Sequence, residues 1–318
     1  MEKFIITVDT EGDNLWNPVL TRSGLKEIKV HNADYIFRFQ ELCEKFSFIP
    51  TYLTNYEMSQ AQSFVELARD RLKFNKVEIG MHMHAWNIPP LVKLPFNPKG
   101  NNPYAAEYHQ KILYQKMKYI TRTLEDVFQV PILSHRGGRW YLDTRYVRML
   151  QKLNYMVDCT ITPGISWEDN IGNYVGGCNY KKFPNKIYEL DTHNMIREGN
   201  SGILEIPPTI IRKQIFNSEK KIIDNVKDLP NAYNKKIWLR PNGKNLEDML
   251  YLVKKCTKNN IAYLEFMIHS SELMPGGSPT FPNKKSIEIL YHDMEIVFTE
   301  ISKNYVGIGL GAYAKTLI

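Results

Sequence analysis

Residues 77–86 read Val77-Glu78-Ile79-Gly80-Met81-His82-Met83-His84-Ala85-Trp86: a short apolar run, two histidines one residue apart, then a tryptophan. As a strand, with its period of two, this run sends His82 and His84 to one face and Met81 and Met83 to the other. Two imidazoles on one face at a strand's end make a pair of metal ligands. Alone, two of the eight histidines falling close together decides nothing, so the flanking sequence has to supply the rest.

Upstream, Phe4 to Val8 is a β-branched, apolar run of the kind that forms a buried strand. It delivers Asp9-Thr10-Glu11-Gly12-Asp13, in which alternation puts Asp9, Glu11 and Asp13 on one face. Three acids this close repel one another unless a cation or an arginine balances them. Helical periodicity from Ile36 to Phe46, a strand at 49–54 and a second helix at 64–72 complete a β-α-β-α-β order. That order argues for a parallel sheet or barrel.

Downstream, a proline-rich loop over about 86–104 follows the histidines, and long ordered loops tend to be functional. A helix carrying Leu113, Met117, Ile120, Leu124 and Phe128 leads to Ile132-Leu133-Ser134 and then His135-Arg136-Gly137-Gly138-Arg139-Trp140. Two glycines between two arginines imply close backbone approach, with guanidinium groups aimed at something acidic. A short helix at 144–153 precedes a strand at 156–161. Residues 163–202 read as a long excursion holding a short hairpin. Strands are expected at 203–206, 237–239, 263–268 and 306–310, with helices through Leu246–Cys256 and Ile287–Ile301. We read 1–318 as one domain with two long loops.

Composition narrows the classes. A hydrophobic content of 43% over 318 residues builds a large core, and 24% charged residues is an ordinary globular level that excludes disorder. The net charge of +7 and a pI near 9.0 come from scattered lysines, a solvated surface rather than a nucleic-acid footprint; peripheral contact with an anionic membrane stays open. Cys43, Cys159, Cys178 and Cys256 are far apart, which fits a reducing compartment. There is no run long enough for a membrane span and no secretory pattern at the amino end, so a cytoplasmic protein is expected.

The polar clusters repeat one arrangement. Asp9/Glu11, His82/His84, Arg136/Arg139, Asp158, Glu205, Arg240 and His269 each sit at or near a predicted strand end, where the loops of an α/β barrel converge. A carboxylate plus two histidines is a three-ligand catalytic set with a position open for water. His269 is placed to protonate a leaving group, and an arginine would hold a base carboxylate ionised. Glu205 is expected to cap or to pair with Arg240, Asp158 is as readily a structural acid as a ligand, and His292 and Asp293 are expected on the surface. His31, His109 and His193 stand alone. Trp86 and Trp140, with Trp167 behind them, are candidates for stacking on sugar rings.

The succession VDTEGD, EIGMHMHAW, SHRGGRW, LEIPPT and FMIHSSEL, from Phe4 to about Leu273, resembles the motifs of the polysaccharide deacetylases, the NodB-homology group of carbohydrate esterase family four. Within that group it most resembles the branch associated with bacterial surface-polysaccharide biosynthesis (O-antigen or capsule lipopolysaccharide). The resemblance implies an α/β fold, a distorted (β/α)7 barrel, and metal-dependent removal of N-acetyl or O-acetyl groups from sugars. By resemblance Asp9 is the catalytic base, Arg136 the arginine paired with it and His269 the general acid. Glu11 and His82 take the places of metal ligands. The family's usual place for the second histidine holds Trp86, so His84 is assigned by strand alternation; Asp13 is an alternative to Glu11. Trp86, Trp140 and Arg139 are assigned to the substrate. Two imidazoles and a carboxylate suit Zn²⁺, and Co²⁺, Ni²⁺, Fe²⁺ and Mn²⁺ accept the same donors. The partner is an acetylated sugar, whether polymeric, lipid-linked or nucleotide-linked. Two other readings share these residues. One is a glycoside hydrolase pairing Asp9 or Glu11 with Glu205 or Asp158; the other is a non-catalytic carbohydrate-binding barrel.

Overall fold

The apolar run at the amino end forms strand β1, Glu2–Thr10, and the sheet is laid out on both sides of it. The computed structural model describes residues 1–16, 20–21, 24–25, 28–95, 97, 99–216 and 232–318. After β1 come α1 (Ile36–Lys45), β2 (Pro50–Thr54), α2 (Gln62–Leu72), β3 (Glu78–Met83), α3 (Gln110–Phe128), β4 (Ser134–Gly137) and α4 (Thr144–Lys152). Then follow β5 (Val157–Asp158), β6 (Tyr188–Glu189), β7 (Leu204–Glu205), β8 (Ile210–Phe216) and β9 (Ala232–Trp238). The chain closes with α5 (Leu246–Lys258), β10 (Tyr263–His269), α6 (Lys284–Ile301), β11 (Tyr305–Gly307) and α7 (Leu310–Lys315).

The sheet order is β10-β1-β2-β3-β4-β5-β7-β6, with β11 also on β1. Every pairing is parallel except β6 on β7. The seven strands β10, β1, β2, β3, β4, β5 and β7 are the staves of the expected distorted (β/α)7 barrel. Among the described residues no ladder forms between β7 and β10. There the backbone amides of Thr209, Leu239 and Met267 donate to the carbonyls of Glu265, Thr209 and Leu239 at 3.4, 3.1 and 3.2 Å and bridge the gap.

The helical stripes bury as their spacing demands. Leu113, Met117, Ile120, Leu124 and Phe128 of α3, and Ile287, Leu290, Met294, Val297 and Ile301 of α6, are all in the core. Under α6 the rings of Phe4, Phe48, Phe266 and Phe298 pack edge to face, 4.7 to 6.5 Å apart. The loop after β3 is anchored by Lys116 of α3, whose Nζ donates to the carbonyls of Ile88 and Pro90 at 2.6 and 2.7 Å.

Several expectations need correction. The last predicted strand, 306–310, stops at Gly307, because Leu310, Tyr313 and Ala314 bury at helical spacing. The helix α7 that results is capped from outside. Glu78 accepts from the amides of Gly311 and Ala312 at 2.7 and 3.0 Å. Strand β9 begins well before 237 and pairs with β8 as an antiparallel hairpin; residues 217–231 lie outside the described residues. The 163–202 excursion holds β6 and two bridges, Ser166 with Asn179 and Leu190 with Glu198. Asp293 is not at the surface but 6% exposed.

Gly80 of β3 shows how closely the staves pack. A Cβ there would stand 2.6 Å from both Leu53 Cδ2 and Ser134 Oγ, and 2.9 Å from the Ser134 carbonyl. Gly80→Ala is therefore expected to lower stability by about 1–3 kcal/mol in urea unfolding, where an Ala at an unconstrained strand site would be neutral.

Candidate active site

Parallel register does the assembling. Asp9 ends up opposite His269, and His82 opposite Arg136, because β1 pairs with β10 and β3 with β4 in those registers. The loops above close over a cavity of about 270 Å³ with Asp9, Glu11, His82, His84 and His269 among its lining. Trp16, Trp86, Arg139, Trp140, Asn101 and Asn102 also line it.

The alternation argument holds at the histidine pair. Met81 and Met83 enter the core, while the His82 and His84 rings stand 4.9 Å apart on the other face. Glu11 Oε2 lies 2.7 Å from His84 Nε2 and 3.3 Å from His82 Nε2. One ligand atom from each of these three buried groups lies within 4.8 Å of the others. His82 Nδ1 is 3.1 Å from the Arg136 carbonyl, so it carries the proton and Nε2 keeps its lone pair for the cluster. Gly138 clears space for the second ring: a Cβ there would meet His84 Nδ1 at 2.5 Å. Burial alone would push the Glu11 carboxyl up, but the two imidazoles outweigh it and hold it well below the usual range. Asp13, the alternative ligand, is used elsewhere. It accepts from the His31 amide at 2.9 Å and lies 3.2 Å from His31 Nδ1, so His31 does not stand alone either.

Arg136 is 0% exposed and divides its guanidinium between two carboxylates. Nη1 donates to Asp9 Oδ1 at 2.7 Å and Nη2 to Glu265 Oε1 at 2.8 Å, while Nε donates to the Cys159 carbonyl at 3.1 Å. Desolvation by burial favours the neutral acid in both. For Asp9 the arginine and the nearby imidazoles prevail and its pKa is lowered; for Glu265 burial prevails and it is raised. Glu265 was missed from sequence, although an acid inside the apolar run Tyr263–Ile268 signals a buried partner.

His269 faces the same carboxylates from the other side. Its Nε2 is 3.7 Å from Asp9 Oδ2 and 3.8 Å from Glu11 Oε1. Glu272 Oε2 is 3.1 Å from Nδ1 and accepts from the His269 amide at 2.9 Å. Because Glu272 is ionised, Nδ1–H donates to it and Nε2 is the atom presented to the cavity. Burial raises the Glu272 pKa, but Arg240 (3.3 Å away) and His269 outweigh it and bring it to about 2. The three-residue offset from His269 is the spacing of a capping box, a signal the sequence reading did not use. Trp16, also missed, packs its ring edge-on to His269 at 4.9 Å and donates from Nε1 to Ser271 Oγ at 3.0 Å.

The remaining site residues divide. Trp86, Trp140 and Arg139 do line the cavity, but among the described residues no carboxylate lies within ion-pair distance of Arg139. It donates to the carbonyls of Asn102 and, at 3.1 Å, Ile171, and lies over the Tyr104 ring, strapping the two long loops together. Asp158 and Glu205 belong to a buried network below the cavity. His135 bonds Asp158 through Nδ1 and Tyr146 through Nε2, and Glu205 accepts from the Ile161 amide at 3.0 Å. Glu205 therefore does not pair with Arg240, which donates to Glu272. Among the described residues the acids lining the cavity are Asp9 and Glu11, so the carboxylate pairs that a glycoside hydrolase would take from Asp158 or Glu205 are not presented there.

Glu272 gives a pH test. Its folded pKa of about 2 lies below the ordinary 4.5. Its contribution is therefore present above about pH 4.5 and is lost as pH falls toward 2. Glu272→Gln is expected to remove up to about 3 kcal/mol at neutral pH and to flatten the acid limb of stability below about pH 5, measured by urea unfolding across pH. An unchanged acid limb would contradict the ion-pair account.

No family model matches the chain, and neither does any curated protein. Solved structures do. A putative polysaccharide deacetylase from Mycobacterium smegmatis is similar at a TM-score of 0.54 and 12% identity, over 99% of this chain and 91% of that one. A probable polysaccharide deacetylase from Pseudomonas aeruginosa PAO1 is similar at a TM-score of 0.51 and 12% identity, over 98% and 89%. A 4-alpha-glucanotransferase from Thermococcus litoralis reaches a TM-score of 0.55 at 12% identity, over 99% of this chain but 40% of that one. At these identities the likeness concerns architecture: the chain has the α/β barrel fold found in polysaccharide deacetylases.

Proposed function

We propose that this chain is a metal-dependent hydrolase that removes an acetyl group, most simply N-acetyl, from a sugar. The observation that carries the reading is the meeting, in one cavity, of a Glu11-His82-His84 ligand cluster with Asp9 on one side and His269 on the other. Two imidazole nitrogens and a carboxylate oxygen fit a divalent cation, Zn²⁺ best, with coordination left over for substrate and water. Held by Glu11, His82 and His84, such a cation would supply Lewis acidity for the acyl carbonyl and for the attacking water.

The protein residues carry the protons. Asp9, kept ionised by Arg136, takes a proton from water as its oxygen adds to the acyl carbon. His269, held through Nδ1 by Glu272, presents Nε2 to the cavity and donates a proton to the nitrogen as the C–N bond breaks. The products are acetate and a free amino sugar. Trp86 and Trp140 offer apolar faces to the acetyl methyl and the sugar ring. We place this chemistry on a single domain acting in the cytoplasm on a precursor of surface polysaccharide. Among the described residues no helix is long and apolar enough to cross a membrane.

The test is acetate release from N-acetylated saccharides by the Zn²⁺-loaded protein, beside Asp9→Asn. The substitution is expected to lower kcat by about 10²–10⁴-fold with metal content unchanged. Wild-type turnover in Asp9→Asn would remove Asp9 from the base role. Release of reducing ends without acetate would favour the glycoside-hydrolase reading instead.

A further inference from the structure

Two residues that line the active-site cavity keep a buried polar atom with no hydrogen-bond partner among the described residues: Asn102 through Oδ1 and Trp86 through Nε1. The two residues are 7% and 5% exposed. A buried donor or acceptor left unpaired is costly, so each such atom asks for a partner. One of these is an acceptor, the other a donor, and both are neutral. Trp86 also stands beside the candidate metal ligands, its ring 5.4 Å from that of His84.

The backbone of Asn102 is gripped from both sides. Arg139 Nη1 donates to its carbonyl. Before it, the Asn101 amide donates to the Gly172 carbonyl at 2.8 Å, and Asn101 Nδ2 to the Ile171 carbonyl at 3.2 Å. Asn97 and Asn173 are bonded twice, amide to Oδ1 at 3.0 Å and Nδ2 to carbonyl at 2.6 Å. After it, the Tyr104 amide donates to Glu107 Oε1 at 2.9 Å and the Tyr104 hydroxyl to the Asn170 carbonyl at 2.8 Å. Gly100 lets the two long loops close this far, since a Cβ there would stand 2.5 Å from the Asn173 carbonyl oxygen. A pinned backbone that carries an unpaired group into a site's lining is pre-organised for recognition.

The missing partners define a chemical group. An acylamino group on a sugar brings an N–H donor together with a carbonyl acceptor, whereas an acyl ester brings acceptors alone. We propose that Asn102 selects an amide over an ester: its Oδ1 accepts the N–H of the substrate's acylamino group, while the Trp86 indole N–H donates to an oxygen of the same substrate. The assignment rests on the acyl-hydrolase reading, because it takes the acyl group to lie at the Glu11-His82-His84 cluster. An ester in the same place sets its oxygen against Oδ1 with no proton between them, and a site built to meet an N–H rejects the analogue that lacks one.

The test measures binding, so that it stands apart from turnover. Calorimetry on the Zn²⁺-loaded full chain carrying Asp9→Asn compares the methyl glycoside of N-acetylglucosamine with the matching glucoside O-acetylated at the same ring carbon. The amide is expected to bind at least about ten-fold more tightly. Asn102→Leu is expected to bring the amide's affinity down to that of the ester, with zinc content unchanged as the check on folding. Asn102→Asp, which keeps an acceptor oxygen, is expected to retain the preference. Equal affinity for the two sugars, binding of neither, a preference that survives Asn102→Leu, or its loss in Asn102→Asp as well overturns the proposal. Acetate release by the chain with Asp9 intact is scored separately: an Asn102-dependent preference with no acetate from either sugar upholds the specificity residue and counts against the acyl-hydrolase reading alone.

Discussion

The rest of the site depends on one buried cation, the guanidinium of Arg136. It reaches from β4 under the cavity to Asp9 on β1 and Glu265 on β10, so it ties together staves that are not neighbours in the ladder. A charge with no exposure is costly unless it is paired and hydrogen-bonded, and Arg136 is paired with two carboxylates and donates to a backbone carbonyl as well. One guanidinium cannot fully satisfy two carboxylates. Asp9, which also feels the imidazoles, keeps its charge, and Glu265 is driven toward its neutral form. The same pairing fixes the strand register, since moving β4 by one residue would exchange Arg136 for a glycine or a histidine.

Around that anchor the backbone is pressed into service. The Arg136 carbonyl selects the tautomer of His82, and Gly138 leaves room for His84. Arg139 and Trp140, next in the chain, adopt left-handed φ values of 57° and 58°, a conformation ordinary side chains hold only when their surroundings dictate it. Here the surroundings are explicit. Arg139 straps the loops, and the Trp140 carbonyl accepts from Tyr180 at 2.8 Å. The result places the Trp140 ring in the lining of the candidate active-site cavity.

Much of this was legible in the sequence because strand periodicity and strand-end chemistry are local. His82, His84, Asp9, Glu11, Arg136 and His269 follow from alternation and from the β-α order, and the structure brings all six together. What escaped was non-local or irregular. Glu265 gains meaning only from an arginine 129 residues away. Trp16 sits in a turn without periodicity, and Glu205 is taken up by the Ile161 amide while Arg240 donates to Glu272, partners that no spacing in the sequence signals. The strand expected at 306–310 failed for a related reason: the apolar pattern there is equally helical, and a distant carboxylate, Glu78, decides it by capping α7. Arg139 was misread because a guanidinium satisfied by carbonyls leaves no acidic counterpart in the sequence.

The central claim is that Glu11, His82 and His84 form one cation site at the mouth of the barrel. X-ray absorption at the zinc edge, on protein carrying one equivalent of Zn²⁺, reads the ligands directly. The account predicts two imidazole nitrogens and a carboxylate oxygen at about 2.0–2.2 Å, and a single imidazole in His84→Ala. A spectrum without histidine ligands, or one unchanged by His84→Ala, would contradict it.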